Sequence, residues 1–233
     1  MKILGIESAA MTASVALLED EHLIAEYTAD YKKTHSQTLL PMIAEIKKMV
    51  DLDLDTLDAI AVSGGPGSFT GLRIGSATAK GLGLALKKPL IHVPTLEALA
   101  FRAAFMGGLI CPMMDARKGF VFTAIYRGGE TMTEVKEPCH ASIKELAEAI
   151  NETGEAVLVI GDGVDAYYEQ LKELVNVPLS KAPSFIRHAS AASVAALGLI
   201  YAKEGKTESA TEHAPDYLRV SQAERQLAMA KES

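Results

Sequence analysis

Two glycine-bearing turns are the places where this chain could meet an anion. Ser63-Gly64-Gly65-Pro66-Gly67 closes an apolar run, and Gly161-Asp162-Gly163 closes another. Glycine tolerates positive φ and lets backbone N–H groups come close to a phosphate. Gly64 and Gly65, and likewise Gly161 and Gly163, could therefore form phosphate or adenosine loops, or be ordinary strand-to-helix turns. No GxxxxGK[ST] motif occurs, which excludes a P-loop ATPase. Ser63 and Ser68 have neighbours that suit helix capping, and no GxSxG elbow marks either as a nucleophile. The six histidines, His22, His35, His92, His140, His188 and His213, are scattered, and no two share a helical turn. Each reads as a surface or hydrogen-bonding residue, so neither a metal site nor a catalytic residue is assigned. Asp115 and Arg117 stand together at a strand end, as a ligand-facing pair or a structural ion pair.

The elements that carry these residues follow one pattern used twice. Lys2 to Glu7, Thr12 to Leu18 and Leu23 to Asp30 are short apolar-rich runs with tight connections, which makes them antiparallel neighbours. Ser36 to Val50 places Leu39, Ile43, Ile46 and Val50 on one helical face, with Pro41 expected in the first turn. Ala59 to Ser63 is a buried strand, Thr70 to Leu86 a helix and Leu90 to Val93 a strand. Thr95 to Phe105 is a helix, with Thr95 as its N-cap. The second half repeats the order. Leu109 to Met114, Gly119 to Tyr126 and Thr131 to Lys136 are strands, Ile143 to Ile150 a helix, and Ala156 to Ile160 a strand. Helices over Ala166 to Val175 and Ser190 to Tyr201 complete it. The pattern predicts an α/β chain of two duplicated mixed-sheet lobes with helices on both faces, the actin-like and sugar-kinase-like architecture. The lobes are expected over residues 1–105 and 106–220, with the last helix packing back and 221–233 a polar tail.

The turn at Gly65 leads into a helix that Ser68 or Thr70 can cap. Along that helix Gly71, Gly75, Ala79 and Gly83 recur every four residues. A glycine inside a helix costs about 1 kcal/mol relative to alanine. A row of them implies that another backbone approaches closely, from the chain's own sheet or from a helix of a second subunit.

The segment GPGSFTGLRIG from Gly65, with AKGL behind it, resembles the signature of the bacterial TsaB (YeaZ) family. ILGIESAAMTASVAL from Ile3, HSQTLLPMI from His35, MDARKGFVFTAIY from Met114, GDG from Gly161 and PDYLR from Pro215 match that family in order, so the resemblance spans nearly the whole chain. It implies the actin-like fold and a non-catalytic subunit that dimerises with TsaD, which transfers threonylcarbamoyl to adenosine 37 of tRNA. It further implies a TsaE ATPase, tRNA engaged through the complex, and a partner surface on the two N-lobe helices. Leu39, Ile43, Gly71, Arg73, Gly75, Ala79 and Gly83 are the residues expected there, and the same face could serve a homodimer. The catalytic relative carries an HxxxH metal pair where this chain has Thr95 and Leu99, and leucine cannot ligate a metal. In working members of the fold, a carboxylate and small residues of the first hairpin approach the phosphates. Here that loop is Glu7-Ser8-Ala9-Ala10-Met11-Thr12. Residual nucleotide binding would fall to Glu7, Ser8, Gly64, Gly65, Gly161 and Gly163, with ATP or ADP at a complex interface. The rival readings are an independent nucleotide-binding enzyme and a glycoprotease-like peptidase.

Bulk composition fits this reading. Hydrophobic residues make up 48% of 233 and charged residues 23%, an ordinary globular mixture. The net charge of -7 disfavours unaided binding to a long phosphate backbone. Cys111 and Cys139 form no CxxC and read as buried apolar residues. No apolar run has the length of a membrane span, and the N-terminus reads as a strand, so a cytoplasmic location without membrane contact is expected.

Overall fold

The structure is a computed structural model and describes residues 1–31 and 33–218. The expected tail 221–233 and Arg219 of the PDYLR segment lie outside the described residues. Strands β1 (Lys2–Glu7), β2 (Ala13–Glu19) and β3 (His22–Ala29) form an antiparallel meander. Helix α1 (His35–Met49) then leads to β4 (Ala59–Gly65), and α2 (Phe69–Leu86) to β5 (Leu90–Pro94). The first sheet has the order β3-β2-β1-β4-β5, with β4 parallel to both its neighbours. After α3 (Thr95–Phe101) the scheme recurs in β6 (Gly108–Asp115), β7 (Phe120–Gly128) and β8 (Thr133–Ser142). Helix α4 (Ile143–Thr153), β9 (Val157–Ile160), α5 (Asp162–Leu174) and β10 (Leu179–Lys181) complete the second sheet. Its order, β8-β7-β6-β9-β10, and its strand senses repeat those of the first. The chain closes with α6 (Ser184–Arg187), α7 (Ala191–Lys203) and a return segment running to Leu218.

The duplication is interleaved through two helices. Leu96, Leu99 and Ala100 of α3 pack with Ile110, Met114 and Phe122 of the second sheet. Val194, Ala195, Leu197 and Leu199 of α7 cover Ile3, Ala61 and Ile91 of the first. Burial of such aliphatic side chains contributes about 1.5–3 kcal/mol each, so these crossed packings hold the lobes together.

Local signals explain most helix ends. Ser142 and Glu145 form a reciprocal capping box on α4: Glu145 N donates to Ser142 Oγ at 3.3 Å, and Ser142 N donates to Glu145 Oε2 at 2.7 Å. Gly154 ends that helix in the left-handed conformation. Ser142→Ala is expected to destabilise the chain by about 1 kcal/mol, read as a lower urea midpoint at unchanged slope.

Four expectations about the elements are corrected. Helix α1 starts at His35, with Gln37 Oε1 accepting from Thr34 N at 3.3 Å, so Pro41 lies within the helix and not in its first turn. Its ring leaves the Gln37 carbonyl without an intrahelical donor, at an exposed position that water reaches. Thr95 is the first residue of α3 and not its cap, because its hydroxyl turns instead to Gly65. That helix ends at Phe101, followed by a single tight turn over Ala104–Met106. Helix α5 opens at Asp162, inside the GDG segment and a full turn earlier than periodicity places it.

Candidate functional site

The end of β1 delivers Glu7 and Ser8 to the junction of the two sheets. Glu7 is 1% exposed. Its Oε1 accepts a hydrogen bond from Ala9 N at 2.6 Å, while its Oε2 is buried with no partner among the described residues. Burial raises the carboxyl to a pKa of about 7, against the opposing hydrogen bonds of Ala9, Ser63 and Ala10, and the charge of Asp162 pushes the same way. Asp162, at the start of α5, is itself raised by burial, and its Oδ1 accepts from Asp115 N at 3.1 Å. The Glu7 carboxyl at the end of β1 thus feels the charge of Asp162 at the start of α5.

The nominated phosphate-loop glycines are occupied by the chain itself. Gly64 lies flat against the His92 ring, and a Cβ there would fall 2.1 Å from it. Gly65, at φ +126°, leaves room for the Asp216 carbonyl, which a Cβ would meet at 2.2 Å. Gly161, at φ +119°, does the same for the Met113 carbonyl at 2.1 Å, and Gly163 abuts that carbonyl too. Close backbone approach thus accounts for these glycines without a ligand. Asp115 accepts from Tyr167 Oη at 3.0 Å and from Arg117 N at 2.8 Å, with the Arg117 guanidinium 3.6 Å away. That pair therefore braces the β6–β7 turn.

Helix α2 carries the glycine row, and the row faces inward. A Cβ on Gly71 would lie 2.0 Å from the Ser8 carbonyl oxygen, and one on Gly75 would lie 2.2 Å from Ser8 Oγ. Gly83 abuts Leu90, and Ala79 is fully buried. Leu39 and Ile43 of α1 are buried in the same core. Leu39, Ile43, Gly71, Gly75, Ala79 and Gly83 are therefore buried within this chain. They turn into the chain's own sheet and first loop, which approach as closely as the spacing required. Arg73 alone of the expected set is exposed; its guanidinium sits 3.8 Å over the Phe69 ring, and its Nε donates to Tyr217 Oη at 3.3 Å.

Among the described residues the opposite faces of α1 and α2 are largely exposed, with Tyr217 on Arg73 at one end. Residues two apart on a helix point about 200° away from each other, so Arg73, Ala77, Gly81 and Ala85 form a second row behind the first. All four are exposed, and Leu84 beside them is 57% exposed. A Cβ on Gly81 would meet nothing within 4 Å among the described residues. On α1, Leu40 is 55% exposed and Met49 64%, with Pro41 and Ala44 exposed between them. The two helices pack side by side. This row was legible at the same four-residue spacing, and the more conspicuous glycines of the buried row hid it.

Known proteins place the chain. Residues 22–227 match the family model of TsaD, tRNA N6-adenosine threonylcarbamoyltransferase. The tRNA threonylcarbamoyladenosine biosynthesis protein TsaB of Bacillus subtilis (strain 168) is 31% identical over 225 residues, 96% of each chain. The chain belongs to the TsaB family. YeaZ from Pseudomonas aeruginosa superposes with a TM-score of 0.80 at 26% identity, over 93% of this chain and 99% of that one. The ROK hexokinase of Thermus thermophilus shares the fold alone, with a TM-score of 0.51 at 11% identity over 88% of this chain and 100% of that one. The TsaB-family chain thus has the actin-like, sugar-kinase-like fold.

In this TsaB-family chain Thr95 is fully buried, and its Oγ1 accepts from Gly65 N at 3.1 Å. Leu99 lies in the apolar core, with its Cδ2 against Gly161. Both positions serve packing. The histidines are less scattered in space than in sequence, because the return segment brings His213 to within 5.8 Å of His92, centroid to centroid. Sequence reasoning considered only pairs within one helix and so missed it. Among the described residues no helix is long and apolar enough to cross a membrane.

Proposed function

We propose that this chain is the non-catalytic partner subunit in threonylcarbamoyl transfer to adenosine 37 of tRNA. It pairs with a TsaD-type catalytic subunit through the outward faces of α1 and α2, and the assembled pair recruits a TsaE-type ATPase and tRNA. The curated relative at 31% identity is named for tRNA threonylcarbamoyladenosine biosynthesis, and the matching family model is named for the transferase. The observation that carries the pairing is the exposed row on α2, where Gly81 stands mid-helix with nothing within 4 Å of its Cβ position among the described residues. A helix glycine with no close neighbour costs about 1 kcal/mol for nothing within the chain. A helix of a second subunit seated there makes use of the missing side chain. The non-catalytic role is supported by the threonine and leucine at the positions of the relative's metal-binding histidines, both turned into packing. The acidic net charge leaves most tRNA contacts to the partner.

Reconstitution tests this reading. Purified TsaD-type subunit, TsaE-type ATPase, threonylcarbamoyl-adenylate synthase and tRNA are expected to form threonylcarbamoyladenosine only when this chain is added. The chain alone is expected to form none. Product at full rate without the chain would sink the accessory role, and turnover by the chain alone would make it an enzyme.

A further inference from the structure

Beyond its pairing role, the chain gathers a set of metal ligands that the sequence keeps far apart. His92 lies on β5, and Glu208 and His213 lie on the return segment after α7. One ligand atom from each lies within 4.8 Å of the others. The segment is pinned so that this holds. Leu90 and Glu208 exchange both backbone hydrogen bonds at 2.9 Å, and Lys80 Nζ donates to the His213 carbonyl at 2.9 Å. Asp216 N donates to the Gly64 carbonyl at 2.7 Å, and Asp216 Oδ2 lies 3.2 Å from His92 Nε2.

The independent observation is the state of His213. Its side chain is buried, and its Nδ1 lies 2.6 Å from Glu208 Oε1. Where Glu208 accepts from Nδ1, the neutral imidazole has its lone pair on Nε2. That Nε2 is buried with no hydrogen-bond partner among the described residues. A carboxylate fixing one imidazole nitrogen while the other awaits a ligand is the arrangement that orients metal-binding histidines.

We propose that His92 and His213, with Asp216 beside them, bind one divalent transition-metal ion, and that Glu208 positions His213 through its Nδ1. Two imidazoles and a carboxylate suit Zn²⁺, and nitrogen ligands disfavour Mg²⁺ and Ca²⁺. Ligand atoms around a tetrahedral Zn²⁺ stand about 3.4 Å apart, so the set closes by side-chain rotation of the exposed Asp216 while Glu208 stays on His213 Nδ1. The ion ties the return segment to β5 and to the turn that opens α2. Tyr217, one residue past Asp216, packs against Phe69 of that helix with the rings tilted and their centroids 4.7 Å apart. The metal therefore acts as a structural clasp for the segment.

The test uses the full chain stripped of metal with a chelator and titrated with Zn²⁺ against a chromophoric competitor. One equivalent is expected to bind, and hydrogen exchange across residues 206–216 is expected to slow. Co²⁺ is expected to show the intense visible bands of a four-coordinate site. His92→Gln, at the half-exposed sheet edge, keeps the fold and is expected to weaken Zn²⁺ at least about 10-fold; Glu208→Gln is expected to weaken it about 10–100-fold. His213→Gln tests the buried ligand, with circular dichroism reporting its fold. Failure of the wild-type chain to bind a stoichiometric equivalent would overturn the proposal. So would affinity unchanged in both His92→Gln and Glu208→Gln.

Discussion

Gly71→Ala is expected to destabilise the chain by about 3 kcal/mol, whereas Gly81→Ala is expected to stabilise it by about 1 kcal/mol. Both substitutions add one methyl to the same helix, so propensity favours both equally. Surroundings decide the sign. The new Cβ at position 71 would lie 2.0 Å from the Ser8 carbonyl oxygen, far inside contact distance. Ser8 cannot yield, because its Oγ donates to the Gly71 carbonyl at 2.9 Å and its N donates to Ser63 Oγ at 3.3 Å. Any shift of α2 must break those bonds or lift the helix from β4. At position 81 the methyl enters open space. Urea denaturation of the two variants beside the wild type reads both effects. Gly81→Leu extends the contrast to pairing: it is expected to keep the stability of the isolated chain and to abolish association with the TsaD-type subunit in sedimentation. A stable Gly71→Ala would mean that the inward row is loosely packed. Undiminished association of Gly81→Leu would move the interface off this face.

Signals contained within one element were legible, and signals between elements were not. The run of three strands, helix, strand, helix repeated in both halves gave two mixed sheets with helices on both faces, since hairpin neighbours and parallel crossovers leave few alternatives. The row at Gly71, Gly75, Ala79 and Gly83 signalled close packing, which is against a backbone carbonyl at Gly71 and against side chains first at Gly75 and Gly83. Which neighbour packs there is a tertiary fact, because a helix glycine looks the same facing Ser8 or facing a stranger. Glu7 was recognisable as a carboxylate at a loop, but the burial and the Asp162 charge that raise its pKa come from elements that arrive from elsewhere. The meeting of His92 with His213 spans the whole second lobe, and the return segment that delivers it has no hydrophobic periodicity to announce it. Pro41 misled for the opposite reason: the average preference for the first turn gave way to a start at His35, six residues earlier.

The stability of the chain is expected to fall as pH rises from about 4.5 to about 7, by about 3 kcal/mol for Glu7 alone. The folded carboxyl keeps its proton up to about 7, while the unfolded chain releases it near 4.5. Within that window the native state binds more protons than the unfolded one, so each unit of rising pH costs about 1.4 kcal/mol. The stabilisation is complete below about 4.5 and gone above about 7. Glu7→Gln keeps an Oε1 to accept from Ala9 N and carries no charge, so it removes this slope and leaves every other titration in place. The difference in unfolding free energy between Glu7→Gln and wild type is therefore expected to be small at pH 4.5 and about 3 kcal/mol in favour of the variant at pH 8. Taking that difference cancels the contribution of the groups common to both chains. A difference that stays flat across the range would mean that the Glu7 carboxylate is already satisfied when charged. The orphaned Oε2 at the lobe junction would then be filled in solution by a cation or ordered water, and the cleft would be a binding site in its own right.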